Sequence, residues 1–189
     1  MTRRAAGDKV ILCGSGNFYK NDGENVKALK ILIDNIKDEE RLFSDDYKIF
    51  SSYYNIISLC IDLKHINQAT EYFEKIKNLI NHNYDYFKQS PQYYLFVLLE
   101  CSLLEANGQY GQAISKLENI YHDIDDHDGI DDIKSLLFDM LGGAYLYIGN
   151  PQQALYYKRL GLETCKRSSG SKSYHYAGSL INISETYII

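Results

Sequence analysis

The 189-residue chain has a formal net charge of −5, with 45% hydrophobic and 24% charged residues, 18 tyrosines, two prolines and no tryptophan. That balance excludes a disordered chain, and so few prolines exclude collagen-like and proline-rich classes. Twenty basic residues face 25 acidic ones. With no basic run beyond Arg3-Arg4, the chain lacks the clustered cations that grip a duplex by displacing counterions.

In chain order, residues 1–8 read as an N-terminal tail or cloning remnant, followed by the short apolar stretch Val10-Ile11-Leu12-Cys13. This is too short for a secretory signal, and no apolar run reaches the roughly 18 residues that a membrane span needs. A cytoplasmic protein without a membrane or direct nucleic-acid partner is therefore expected. Apolar periodicity and turn signals then predict helix pairs at about 9–21 with 24–38, 45–63 with 66–82, 92–107 with 110–122 and 131–149 with 151–167. A last helix is expected over about 172–189. The corresponding repeats are 9–38, 45–82, 92–122 and 131–167, within one helical-repeat domain over 9–189.

The pairs share a skeleton. One runs Leu141-Gly142, Tyr145, Gly149, Ala154-Leu155 and Tyr157, and another Cys101, Leu104, Gly108, Tyr110, Ala113-Ile114 and Leu117. A third runs Ile56-Ile57, Cys60, Lys64-His65, Ala69, Phe73 and Ile76, and a fainter one Leu12, Gly16, Tyr19, Gly23, Ala28 and Leu32. Small residues let two helices approach closely, and the glycine between them permits the backbone turn. A single such hairpin cannot bury its apolar face, so the hairpins must stack. The alanines Ala28, Ala69, Ala113 and Ala154 are spaced by 41, 44 and 41 residues.

These residues resemble the tetratricopeptide repeat, whose period is about 34 residues. Leu141, Gly142, Tyr145, Gly149 and Ala154 fall on five of its positions, and Phe138 stands where tryptophan is common. Lys158 occupies the usual aromatic place, and the terminal proline is missing. The resemblance implies an all-α, right-handed superhelical solenoid of antiparallel helix pairs, about four repeats plus a terminal helix. It also implies a concave binding face lined by the first helix of each pair. That lining maps to Cys13, Asn17 and Lys20, to Ser51, Tyr54, Asn55 and Ser58, and to Leu98, Leu99, Ser102 and Glu105. It continues with Leu136, Asp139, Met140, Gly143 and Tyr147, and ends with Ile181, Asn182 and Glu185. The candidate peptide-binding set is Asn17, Tyr54, Asn55, Ser58, Leu99, Ser102, Asp139, Met140, Tyr147 and Asn182.

The long repeat and the acidic Ile/Asn/Lys/Tyr-rich composition are similar to the sensor regions of Gram-positive peptide-pheromone receptors of the Rgg, PlcR and Rap type. That likeness implies quorum sensing, with a signalling-peptide sensor serving transcription regulation. The alternative is a structural assembly module with no small ligand. The apolar ending Tyr187-Ile188-Ile189 would then mediate homodimerisation, or further chain would follow it.

Other chemistry finds no complete motif. Gly14-Ser15-Gly16 lacks the rest of a phosphate loop. The segment Asp123–Asp132 places Ile124 and Ser135 where a calcium loop needs ligands. Histidines show no metal-binding spacing. Cys13, Cys60, Cys101 and Cys165 form no Cys-x-x-Cys pair and read as small buried hydrophobes. Neither enzyme activity, cofactor nor metal is expected.

Overall fold

The structure is a computed structural model that describes residues 22–42, 48–125 and 130–187. Among the described residues all regular structure is helical: α1 (Asp22–Leu42), α2 (Lys48–Asp62), α3 (Ile66–His82), α4 (Tyr84–Lys88), α5 (Pro91–Ala106), α6 (Tyr110–Asp125), α7 (Asp131–Tyr147), α8 (Pro151–Ser169) and α9 (Tyr174–Thr186). The predicted helix over 9–21 lies outside the described residues. No helix among the described residues is long and apolar enough to cross a membrane. The helices fall into two compact units, divided at Ser90 and Pro91.

Three hairpins, α2–α3, α5–α6 and α7–α8, are joined by the same turn. Lys64, Gly108 and Gly149 each have a left-handed backbone, with φ of 62°, 73° and 77°. Each lies five residues before one of the landmark alanines. The following amides close the turn identically: His65 donates to the Cys60 carbonyl at 2.8 Å, Gln109 to Leu104 at 2.8 Å, and Asn150 to Tyr145 at 2.9 Å. This six-residue closure satisfies carbonyls that the end of a helix leaves without partners. Two of the three positions hold glycine because a side chain in that conformation crowds the next carbonyl. After the turn, Ala69, Ala113 and Ala154 are completely buried. The last hairpin is reinforced at its second helix, where the Asn150 side chain accepts from the Gln153 amide at 3.2 Å and Pro151 occupies the first turn.

In the first unit α2 packs on both α1 and α3, and α3 on α4. Phe50, Ile56, Ile57, Cys60, Ile76 and Phe87 are almost fully buried. A polar clamp joins three helices at its edge. Lys75 on α3 pairs with Glu40 on α1 at 2.6 Å, and the Tyr53 hydroxyl on α2 donates to the same carboxylate at 3.0 Å. The Lys75 ammonium also lies over the Tyr72 ring, 5.0 Å from its centre. The short helix α4 was not predicted, since five residues carry no periodicity. Its Phe87 anchors it against Phe50, with ring centres 5.8 Å apart.

The second unit is centred on α7, which packs on α5, α6, α8 and α9. Helix α5 buries residues all round, including Tyr94, Leu98, Leu99 and Cys101, as its nearly unbroken apolar sequence requires. Aromatic rings fill the space between α6, α7 and α8. Tyr121 meets Phe138 edge-on at 5.6 Å, and Tyr145 stacks on Tyr157 at 5.6 Å. The Tyr145 hydroxyl reaches Glu118 at 2.6 Å. At the opposite end Arg167 on α8 grips Asp131 in the first turn of α7 at 2.8 Å.

Candidate functional site

Within the second unit the first helices of successive pairs lie side by side. Helix α5 packs on α7, and α7 on α9, whereas the second helices α6 and α8 do not pack on each other. Six of the residues singled out from sequence, Leu99, Ser102, Asp139, Met140, Tyr147 and Asn182, lie on α5, α7 and α9.

Asp139, Asn182 and Lys158 converge at the junction of α7, α9 and α8. Lys158 is only 5% exposed, although lysine is rarely buried. Gly142 makes room for it: a Cβ there would stand 2.5 Å from the Lys158 Cγ and 3.2 Å from the Ala154 carbonyl. The Lys158 ammonium then donates to the Asn182 backbone carbonyl at 2.6 Å, tying α8 to α9. Burial pushes the Asp139 carboxyl up to about 6, while the Lys158 charge and a hydrogen bond from the Asn182 side chain pull the other way. Its Oδ1, buried beside Gly161, has no hydrogen-bond partner among the described residues. Lys158 thus belongs to a buried polar junction.

A second buried carboxylate belongs to Glu105 near the end of α5. Its Oε1 also has no hydrogen-bond partner among the described residues, and burial alone pushes the carboxyl up to about 7. At the same end of the unit the Tyr110 and Tyr147 rings stack 4.5 Å apart and within 7° of parallel. The phenol of Tyr110 is raised by burial and then by Tyr147 and Glu105, which places the three side chains within electrostatic reach. Tyr147 itself is 73% exposed.

The remaining candidates divide by burial. Tyr54, Leu99 and Met140 are 4%, 2% and 6% exposed, so they are packed inside the protein. A ligand would reach them only after displacing what covers them. Tyr54 lies against Phe50, with ring centres 6.2 Å apart. Asn55 and Ser58 are half-buried on α2 of the first unit. Ser102 is half-buried on α5, and its hydroxyl donates to the Leu98 carbonyl one turn back at 3.1 Å. Asn17 lies outside the described residues, as do Asp126–Gly129 of the acidic loop. Two participants, Tyr110 and Lys158, were absent from the sequence-derived site. The signal for Lys158 was its presence where the repeat skeleton calls for an aromatic ring; Tyr110 gave none, because only its partner on another helix reveals it.

Cys60, Cys101 and Cys165 are free and buried. Burial pushes the Cys60 thiol up to about 11, and Cys101, buried and near Glu100 and Glu105, up to about 12. Such thiols are poor nucleophiles at neutral pH. No family model matches the chain, and no curated protein matches it either.

Proposed function

We propose that this protein is a peptide- or protein-binding helical-repeat domain of the tetratricopeptide type, a binding module rather than an enzyme, working in the cytoplasm. The observation that carries this reading is the adjacency of α5, α7 and α9. Direct packing of successive first helices is what a shared binding face needs, and Ser102, Glu105, Asp139, Tyr147 and Asn182 lie on those helices. The recurrent left-handed turn at Lys64, Gly108 and Gly149 supports the repeat assignment. The repeat length supports the narrower reading, a signalling-peptide sensor of a bacterial transcriptional regulator.

A library of short apolar peptides is expected to contain members that raise the melting temperature. Ser102→Ala is expected to weaken that binding while leaving the circular dichroism unchanged. An absence of any thermal shift across the library at high peptide concentration would count against the reading.

The assembly alternative draws on one observation: Leu180 and Ile181 on α9, and Tyr187 just after it, are 42%, 49% and 64% exposed. An array or a dimer contact through α9 would cover them. Sedimentation separates the two readings. A dimer that Ile181→Glu dissociates favours assembly, and a monomer at high concentration rejects it.

A further inference from the structure

We propose that Glu105, Tyr110 and Tyr147 form a subsite for one cationic group, a guanidinium or a primary ammonium. This deepens the peptide-binding reading and rests on it for the nature of the ligand: the cation is a basic side chain or the amino terminus of the bound peptide.

Three independent features converge on it. A buried carboxylate oxygen without a donor is costly, and a cationic hydrogen-bond donor is the partner that relieves the cost most fully. The stacked Tyr110–Tyr147 pair presents an aromatic face to solvent, since Tyr147 is 73% exposed. Aromatic faces attract cations through the negative side of the ring quadrupole. Finally, α5 and α7 both end here, at Ala106 and Tyr147, and helix C-termini carry partial negative charge.

Among the described residues no cation occupies the place. The groups that act on this corner are Cys101 from α5 and Tyr110 from α6, together with Tyr147 from α7 through its stack on Tyr110. Lys116, the nearby lysine on α6, is engaged by Glu100 at 3.0 Å. Burial is opposed by no charged neighbour at Glu105, so its carboxyl sits at about 7. Burial thus favours the protonated carboxyl there. An arriving cation favours the carboxylate and expels that proton, so binding is coupled to proton release.

The test uses the full chain and two pools of N-acetylated hexapeptide amides, identical except that one carries a central arginine and the other citrulline. A third pool has citrulline and a free amino terminus, and agmatine alone probes the cation without a peptide. Calorimetry at pH 7 in buffers of different ionisation enthalpy reports affinity and proton release together. The expected result is binding about tenfold tighter for a cationic pool than for the neutral one, with loss of the difference in Glu105→Gln. Tyr147→Ala, at an exposed position, is expected to weaken cationic binding a few-fold. Proton release is expected in the wild type and absent in Glu105→Gln.

Equal affinity for all pools overturns the subsite and leaves peptide binding standing. If no pool binds but agmatine binds in a Glu105-dependent way, the peptide reading falls and the cation subsite remains. Failure of all three pools and of agmatine rejects both.

Discussion

At the residue scale the most informative positions are Lys64, Gly108 and Gly149, which adopt one backbone conformation in three separate turns. Glycine meets no penalty in the left-handed region, while a side chain there costs roughly 1–2 kcal/mol. Lys64→Gly is therefore expected to stabilise the protein by about 1 kcal/mol, and Gly149→Ala to destabilise it by about as much. Urea titrations followed by circular dichroism check both. An unchanged midpoint for both variants would remove the shared turn as a determinant of the hairpins. The same scale shows what sequence could convey. A glycine five residues before an alanine is a local signal and was legible, and Lys64-His65 was recognisable only as a polar turn.

The helices themselves were largely legible. Their predicted limits lie within a few residues of those observed, because apolar spacing and turn residues act locally. Helix α4 escaped, being held by the contact of Phe87 with Phe50 rather than by its own pattern. The junction of α7, α8 and α9 carries the clearest element-scale test. Lys158→Met removes the bond to the Asn182 carbonyl and leaves Asp139 buried without its cationic neighbour. Loss of a buried charge partner is expected to cost about 3 kcal/mol, and a second substitution, Asp139→Asn, to recover part of it. A double-mutant cycle by chemical denaturation measures the coupling. Additive effects would show that Lys158 and Asp139 do not act together.

At the scale of the whole molecule, pH separates groups of opposite sign. Glu105 rises from its ordinary value of 4.5 to about 7, and Asp139 from 3.8 to about 6, so folding favours their protonated forms. Their effect is absent below the ordinary values and becomes a loss of stability as pH rises toward the folded values. Glu40 and Asp131 behave oppositely. At Glu40, burial is outweighed by Lys75 and Tyr53, and at Asp131 the Arg167 bond dominates; both carboxyls are held below their ordinary range. Their stabilisation is present above the ordinary values and is lost as pH falls. Stability is thus expected to be greatest at about pH 4, near the ordinary carboxyl values, and to decline until about pH 7. Glu105→Gln is expected to flatten that decline by at most on the order of 3 kcal/mol. Denaturation midpoints across pH 4–8 test this. A profile unaltered by Glu105→Gln would show that the carboxyl is not buried in solution.

The sequence by itself determined a helical chain, the pairing of consecutive helices and the positions of the turns, because periodicity, proline scarcity and turn chemistry operate over a few residues. It also assigned Ser102, Glu105, Asp139, Tyr147 and Asn182 to first helices of the pairs. Only the tertiary structure decided which of the marked residues remain accessible. Tyr54 and Leu99 sit one turn from the polar candidates Ser58 and Ser102, and Met140 beside Asp139, yet all three are packed away, since burial depends on neighbouring helices that no local pattern specifies. The unpaired Glu105, the stacked Tyr110 and Tyr147, and the buried Lys158 beneath Gly142 belong to that second category. Each exists because residues distant in the chain meet in a low-dielectric corner, where a charge's surroundings set its chemistry.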